Sequence, residues 1–185
     1  MKKYILLIAL AVSVLTAKAQ FNVDRLITSG KVALHYEDYV LSIQYFNQVI
    51  ALKPFLYEPW QYRAVAKFYL DDFVGAETDA SEAIALNPYI DILYDLRAIS
   101  RIRQEDYAGA IADYNKAIAI SPDTRNYWFN RAICMLNSKD YDDALAQTDS
   151  IIRKWQRFAN AYQLKAEVWL NKKDTVEAAK WLDKS

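Results

Sequence analysis

Few side chains in this sequence have the chemistry that catalysis requires. His35 is the only histidine and Cys134 the only cysteine among the 185 residues. Protein zinc sites take three or four ligands, most often cysteine and histidine, so one of each predicts no metal site. No Gly-x-Ser-x-Gly elbow and no glycine-rich phosphate loop occurs, so neither a nucleophilic serine nor a nucleotide cofactor is expected. The sequence indicates a binding protein, not an enzyme, that uses neither a cofactor nor a metal.

The other groups that could react or bind a cation are better explained by structure. Cys134 lies between two apolar residues in an expected helix, which favours a buried thiol over a reactive one. The acidic pairs Asp71-Asp72 and Asp142-Asp143 could bind a cation, but both stand where a helix is expected to begin. Carboxylates there accept hydrogen bonds from free backbone N–H groups. We interpret the pairs, together with Asp106 and Asp140, as residues that stabilise helix starts.

Basic side chains recur every 34 residues along the chain. They are Arg63, Arg97, Arg131 and Lys165. Such a ladder could bind an acidic ligand. Asp79 and Asp113 recur with the same spacing, and a paired charge avoids the cost of partial burial. We therefore predict that Arg63 pairs with Asp79 and that Arg97 pairs with Asp113, each pair within one 34-residue unit of the chain.

The same spacing runs through most of the chain and indicates an internal repeat. Three similar six-residue segments end in Pro54, Pro88 and Pro122. A column of small residues consists of Ser42, Ala76, Ala110, Ala144 and Ala178, and a column of aromatic residues consists of Tyr39, Phe73, Tyr107 and Tyr141. Small residues suit close helix crossings, aromatic residues fill wider gaps, and a proline ends the preceding helix.

These columns resemble the tetratricopeptide repeat, a helix–turn–helix unit of about 34 residues. The resemblance implies an all-α solenoid of about five repeats stacked as a right-handed superhelix. After a short segment at 20–22, the predicted repeats are 23–56, 57–90, 91–124, 125–158 and an incomplete 159–185. First helices are expected near 23–36, 57–70, 91–104, 125–138 and 159–172, and second helices near 39–52, 73–86, 107–120, 141–154 and 175–184.

The resemblance also implies a concave groove, lined by the first helices, in which a partner binds. The residues assigned to it are Leu34, Gln61, Val65, Phe68, Tyr69, Asp95, Ile99, Ile102, Arg103, Phe129, Ile133, Leu136 and Asn137, with flanking positions such as Gln163 and Glu167 in the fifth repeat. Aliphatic, aromatic and amide groups together suit an extended peptide or an amphipathic helix. These residues would otherwise pack against a neighbouring domain or chain. Ile27 and Gln61 stand where chaperone-binding members have Lys, Asn or Arg, so a cochaperone is not expected.

The N-terminal segment, 1–19, is typical of a signal peptide. Lys2 and Lys3 precede an apolar run at 4–15, and small residues at Ala17 and Ala19 mark a predicted cut after Ala19. A membrane span takes about 20 residues, so the run is short for an anchor. We expect export to the periplasm or cell surface, with no transmembrane segment after cleavage.

The leading prediction is a scaffold that binds a protein or peptide partner in the bacterial cell envelope. The 23 basic and 23 acidic side chains balance and form no basic stripe, which argues against nucleic acid. One alternative is a glycan-binding accessory protein that uses its Trp and Tyr residues. The other is the N-terminal regulatory region of a larger envelope enzyme. The chain is expected to be incomplete because the fifth repeat stops early and leaves Val168, Trp181 and Leu182 with little cover.

Overall fold

The structure, a computed structural model, describes residues 22–184, which contain ten helices and no strand. Helix α1 covers 22–35. The others are α2 (Tyr39–Leu52), α3 (Tyr57–Tyr69), α4 (Phe73–Leu86), α5 (Asp91–Ile102), α6 (Tyr107–Ile120), α7 (Arg125–Asn137), α8 (Tyr141–Lys154), α9 (Ala159–Asn171) and α10 (Thr175–Leu182). The all-α class is confirmed, and the helix bounds agree closely with the predicted ones. The predicted signal peptide, 1–19, lies outside the described residues.

The helices form two compact units that follow each other along the chain. Unit 1 ends at Leu86 and contains α1 to α4, and unit 2 begins at Asn87 and contains α5 to α10. Within each unit, a helix packs mainly on the helices before and after it in sequence. None of the helices in 22–184 has the length and hydropathy of a membrane span.

The column of small residues lies at the helix crossings, as predicted. Ser42, Ala76, Ala110 and Ala144 are fully buried, and Ala178 is almost so. In the first pair, Gly30 faces the ring of Phe46 so closely that a Cβ atom on it would lie 2.7 Å from the ring. The Ser42 hydroxyl donates to the Gly30 carbonyl at 3.0 Å and ties α2 to α1. A larger side chain at these positions would separate the two helix axes.

The turn inside each helix pair contains one residue with a left-handed backbone conformation, which was not predicted from the sequence. The residue two positions before each second helix has a positive φ, between 60° and 67°; these residues are Glu37, Asp71, Glu105, Lys139 and Lys173. None of them is glycine or asparagine, the residues that usually occupy this left-handed region at a helix end. The surrounding turn therefore enforces the conformation.

The predicted carboxylate caps at Asp72 and Asp106 are confirmed, and Asp38 and Asp174, which were not predicted, cap their helices in the same way. The side chains of Asp38, Asp72, Asp106 and Asp174 each accept a hydrogen bond from the backbone N–H three residues later. The prediction for Asp140 was wrong, because its carboxylate does not cap α8 and instead accepts the Ser138 hydroxyl at 2.7 Å. Asp142 and Asp143 lie in the first turn of α8, where they suit the helix dipole.

The last two helices are better packed than the sequence suggested. Val168 is fully buried, so the expectation that it lacks cover was wrong. It belongs to a core cluster that also contains Ala132, Ile151 and Leu164. Trp181 is half-buried and lies against Tyr162, with 6.3 Å between ring centroids, whereas Leu182 is about half exposed.

Candidate functional site

Arg63 and Arg97, the first two residues of the basic ladder, form internal ion pairs. Arg63 donates from Nε and Nη2 to the two oxygens of Asp79, both at 2.7 Å, and Lys67 adds a third contact at 2.9 Å. Arg97 makes the same forked contact with Asp113, at 2.9 and 2.6 Å. Both carboxylates are only 2 % exposed. The predicted pairs are confirmed, and these cations are occupied within their own hairpins.

The last two steps of the ladder have different partners. Arg131 bonds to two amide oxygens, those of Asn115 and Gln147, because Gln147 stands where the earlier repeats have aspartate. Its Nε atom is buried and has no hydrogen-bond partner within 22–184, and burial lowers its pKa. Lys165 pairs with Asp149 and lies 3.6 Å from the centroid of the Trp181 ring. The ladder is therefore a set of internal contacts, some within a helix pair and others, such as Arg131 with Asn115 and Lys165 with Asp149, to the preceding pair.

The predicted groove residues of unit 1 are largely engaged by neighbours. Leu34, Gln61, Val65 and Phe68 are half-buried. The Phe68 ring packs edge-on against Phe73 of α4, with 5.4 Å between centroids. Tyr69 is 60 % exposed and stacks on Tyr39 at 5.1 Å, with the rings nearly parallel. Of these five residues, Tyr69 offers the largest exposed surface.

In unit 2, four predicted groove residues lie together around one cavity. Its volume is about 220 Å³, and helices α7 and α9 form its two walls. The α7 wall is mostly apolar and consists of Phe129, Ile133, Leu136 and Asn137. The α9 wall is mostly polar and consists of Asn160, Gln163, Leu164 and Glu167. We call this space the α7–α9 cavity.

Packing behind the α7–α9 cavity holds its apolar wall in place. The Phe129 ring meets Phe158 edge to face, with 5.2 Å between centroids. Leu136 and Leu164 are buried members of the core cluster that contains Ala132 and Ile151. Such a wall presents a rigid apolar surface beside amide groups that donate and accept hydrogen bonds. It can hold an apolar side chain while the amides bond to the backbone that carries it.

Two lining residues, Asn160 and Leu164, were missed by reasoning from the sequence. The prediction used only positions that are equivalent from one repeat to the next. Asn160, Gln163, Leu164 and Glu167 recur at helical spacing, which places them on one face of α9. The same spacing applied to Gln163 and Glu167 would have found the other two.

The comparisons with known proteins agree with the repeat columns and the helix pairs. Residues 101–168 match the family model described as tetratricopeptide repeat. The chain therefore contains tetratricopeptide repeats (TPRs) over these residues. Among curated proteins, none matches its sequence.

Solved structures similar to this TPR protein share its fold at low sequence identity. A MamA protein superposes with a TM-score of 0.82 and 16 % identity, over 88 % of this chain and 89 % of MamA. YrrB, described as a TPR protein with an unusual peptide-binding site, gives 0.76 and 14 %, over 86 % and 82 % of the two chains. The first TPR of Spaghetti bound to an HSP90 peptide gives 0.61 and 22 %, over 62 % and 91 %. At such identities the likeness shows the fold alone.

In the third repeat of this TPR protein, the predicted groove residues have mixed surroundings. Ile99 and Ile102 are half-buried and Arg103 is exposed. Asp95 is half-buried, and its Oδ1 atom is enclosed without a hydrogen-bond partner inside the described range. Burial raises the pKa of the Asp95 carboxyl; Tyr114 opposes this rise, and the charge of Asp91 adds to it.

The tyrosines beside Asp95 belong to the same polar cluster. The Tyr127 hydroxyl donates to Asp91 Oδ2 at 3.1 Å. Tyr114 is fully buried between the helices of the third and fourth repeats. Burial raises the pKa of both phenols, and the neighbouring carboxylates add to this effect. Both phenols therefore stay protonated at physiological pH, and the hydrogen bond from Tyr127 to Asp91 suits a structural role for the cluster.

The solitary cysteine of this TPR protein is inert in the folded state. Cys134 is fully buried within α7, as predicted. Burial raises the pKa of its thiol to about 12, so almost no thiolate is present near neutral pH. Between residues 22 and 184, no group of three or more His, Cys, Asp or Glu side chains is arranged to hold a metal ion.

Proposed function

We propose that this TPR protein is a non-enzymatic scaffold that binds a segment of a partner protein in the α7–α9 cavity. One observation carries the proposal: four residues that the family resemblance assigned to the groove line a single cavity, opposite a polar wall from the next repeat. The likeness to YrrB and to the peptide-bound TPR of Spaghetti supports a peptide or protein as the ligand.

The chemistry of the cavity favours a segment with one apolar anchor residue. Phe129, Ile133 and Leu136 offer apolar contact, which stabilises a buried side chain by about 25 cal/mol per Å² of area removed from water. The amides of Asn160 and Gln163 can donate to backbone carbonyls and accept from backbone N–H groups. A segment in extended or helical form can satisfy both walls.

The glycan-binding alternative receives less support from the tryptophans of the repeat columns. Trp60 and Trp128 are half-buried, and each indole N–H donates at 3.0 Å to the proline carbonyl six residues earlier. The hydroxyl of Tyr94 repeats this bond to Pro88 at 3.1 Å. Stacking on a sugar requires exposed flat rings, whereas these rings tie the helix start to the preceding turn.

The proposal places the scaffold in the bacterial cell envelope, with a partner in the periplasm or at the cell surface. It rests on the signal-peptide pattern of 1–19, which lies outside the described residues. The test is to express the full chain in a bacterium, fractionate the cells and determine the N-terminal residue of the product. We expect an envelope fraction that begins at Gln20, and a cytoplasmic product that begins at Met1 would contradict the location.

Binding in the cavity can be tested without knowing the natural partner. Peptides are selected from a displayed random library on the full chain, and their affinities are measured by calorimetry. We expect Ile133→Ala to weaken the selected peptides about tenfold or more, because it removes part of the central apolar contact. Val74→Ala, at an exposed position of α4, is the matched control and should change nothing. Equal loss in the two variants would contradict the proposed site.

A further inference from the structure

Four basic side chains from two separate parts of unit 2 line a second cavity. Arg125 begins α7, while Arg153, Lys154 and Arg157 come from the end of α8 and the turn that follows. With Trp155, Gln156 and Phe158 they border an open depression of about 360 Å³. We call this space the basic cavity. These residues form no basic stripe along the sequence, because Arg125 joins the others only through folding.

Most of these cations lack a counter-charge. Lys154 pairs with Asp123 at 2.8 Å. In the described range, 22–184, no Asp or Glu lies within ion-pair distance of Arg125, Arg153 or Arg157. The arginines at Asp79 and Asp113 differ in this respect, since each has a buried carboxylate as a partner. Several like charges around one cavity repel each other, and an anion placed between them relieves this repulsion.

The aromatic residues of the basic cavity orient the cations around it. The guanidinium carbon of Arg125 lies 4.2 Å from the centroid of the Phe158 ring. The Lys154 ammonium lies 4.8 Å from the centroid of the Trp155 ring. A guanidinium on a ring face keeps its N–H donors at the rim, where they can bind a carboxylate through two parallel hydrogen bonds. No side chain caps α9, which begins at the edge of this cavity, so its dipole also favours an anion there.

We infer that the basic cavity binds the carboxylate side chains of an acidic segment of the partner protein. Naming a protein segment as the ligand rests on the proposed scaffold function. Nucleic acids and anionic membranes need an extended basic surface, whereas this cavity is a single local cluster in a chain of balanced charge.

The position of the basic cavity supports the same occupant. Phe158 lines the basic cavity and also packs against Phe129, which lines the α7–α9 cavity. One aromatic contact therefore links the linings of the two cavities. A segment whose apolar anchor occupies the α7–α9 cavity can place an acidic residue, a few positions away, among the guanidinium groups.

The test uses the full chain and a fluorescent oligoglutamate peptide, with binding measured by anisotropy at low and high salt. We expect the double variant Arg125→Glu/Arg157→Glu to weaken binding about tenfold or more, because it reverses two charges at the cavity. The matched control is Arg25→Glu/Lys116→Glu, which makes the same change of net charge at exposed sites elsewhere. It should weaken binding less than threefold or so, through long-range electrostatics alone. The double variant Arg125→Lys/Arg157→Lys keeps the charge but loses the forked donors, and we expect an intermediate affinity.

Several outcomes would overturn the inference. Equal loss in the cavity variant and the control would show that net charge alone attracts the peptide. Unchanged affinity in the cavity variant would place the peptide elsewhere. Vesicles of anionic lipid, or single-stranded DNA, that bind through the same arginines more tightly than oligoglutamate would make the segment the wrong ligand.

Failure of the basic cavity can be told from failure of the α7–α9 cavity. Ile133→Ala should leave oligoglutamate binding unchanged, since this probe has no apolar anchor. Thermal melting of each variant verifies that the repeats remain folded. If selected peptides bind and respond to Ile133→Ala while oligoglutamate does not respond to Arg125→Glu/Arg157→Glu, only the inference about the basic cavity fails.

Discussion

Arg97 and Asp113 form a forked contact across the third helix pair, with Nε and Nη2 at 2.9 and 2.6 Å from the two carboxylate oxygens. Arg101 donates a further hydrogen bond to Asp113 at 2.9 Å. The carboxylate is 2 % exposed, so its charge is compensated by these cations and not by water. One repeat earlier, Arg63, Lys67 and Asp79 form the same arrangement.

Removing the Asp113 carboxylate should strongly destabilise the protein. Asp113→Ala leaves two guanidinium groups, both only about 20 % exposed, without their common partner. We expect a loss of about 3–5 kcal/mol in the free energy of unfolding, measured by urea denaturation at neutral pH. Asp123→Ala is the control, because it removes the partner of Lys154 at a site where Asp123 is 90 % exposed. Similar losses of unfolding free energy in both variants would show that the buried ion pairs stabilise the protein no more than an exposed one.

Enlarging a residue of the small column should separate α6 from its partner helix. Ala110 is fully buried, and Ala110→Leu forces additional volume into that crossing. We expect a loss of about 1–3 kcal/mol and a lower Tm in calorimetry. Ala112 lies on the exposed face of the same helix, so Ala112→Leu should leave the Tm nearly unchanged. A Tm for Ala110→Leu equal to that of the wild type would contradict the close crossing.

Asp95 should make stability depend on pH. Burial raises its folded-state pKa above the unfolded value of about 3.9, so the folded protein binds more protons between these two pKa values. The stabilising contribution is therefore complete below about pH 4 and is lost as the pH rises through the folded pKa. Asp95→Asn removes this loss and should be more stable than the wild type at pH 7, with a difference that shrinks towards pH 4.

Urea denaturation between pH 4 and pH 7 measures this difference. Asp123→Asn, at an exposed carboxylate, controls for the change of one charge. A stability difference between Asp95→Asn and the wild type that stays constant across the pH range would mean that the Asp95 pKa does not differ between the two states.

Cys134 should report unfolding. The thiol is fully buried and its pKa is raised to about 12, so a disulfide reagent at pH 8 should react slowly with the folded protein and rapidly in urea. The slow rate should increase with denaturant, because reaction requires opening of α7. Cys134→Ala gives the background signal. Immediate reaction of the folded protein would contradict the buried position.

Much of the fold was predictable because it follows from one local rule applied repeatedly. The spacing of Pro54, Pro88 and Pro122 marks where helices end, and the buried column through Ala76, Ala110 and Ala144 marks where two helices cross. Arg63 and Asp79 could be paired in advance because the family resemblance implies such a pair across a helix hairpin, and because a paired charge avoids the cost of partial burial. The candidate site was predictable only as single columns, such as the one containing Phe129.

The sequence by itself determined the helix pairs, their crossings and the first two buried ion pairs, because the geometry of a repeat is set within the repeat itself and its nearest neighbours. Tertiary structure decided what depends on side chains from different repeats. It joined Arg125 to Arg153 and Arg157 around one cavity, and it placed Asn160 and Leu164 opposite Ile133. These residues share no column, and only the packing of neighbouring helices sets the distances between them.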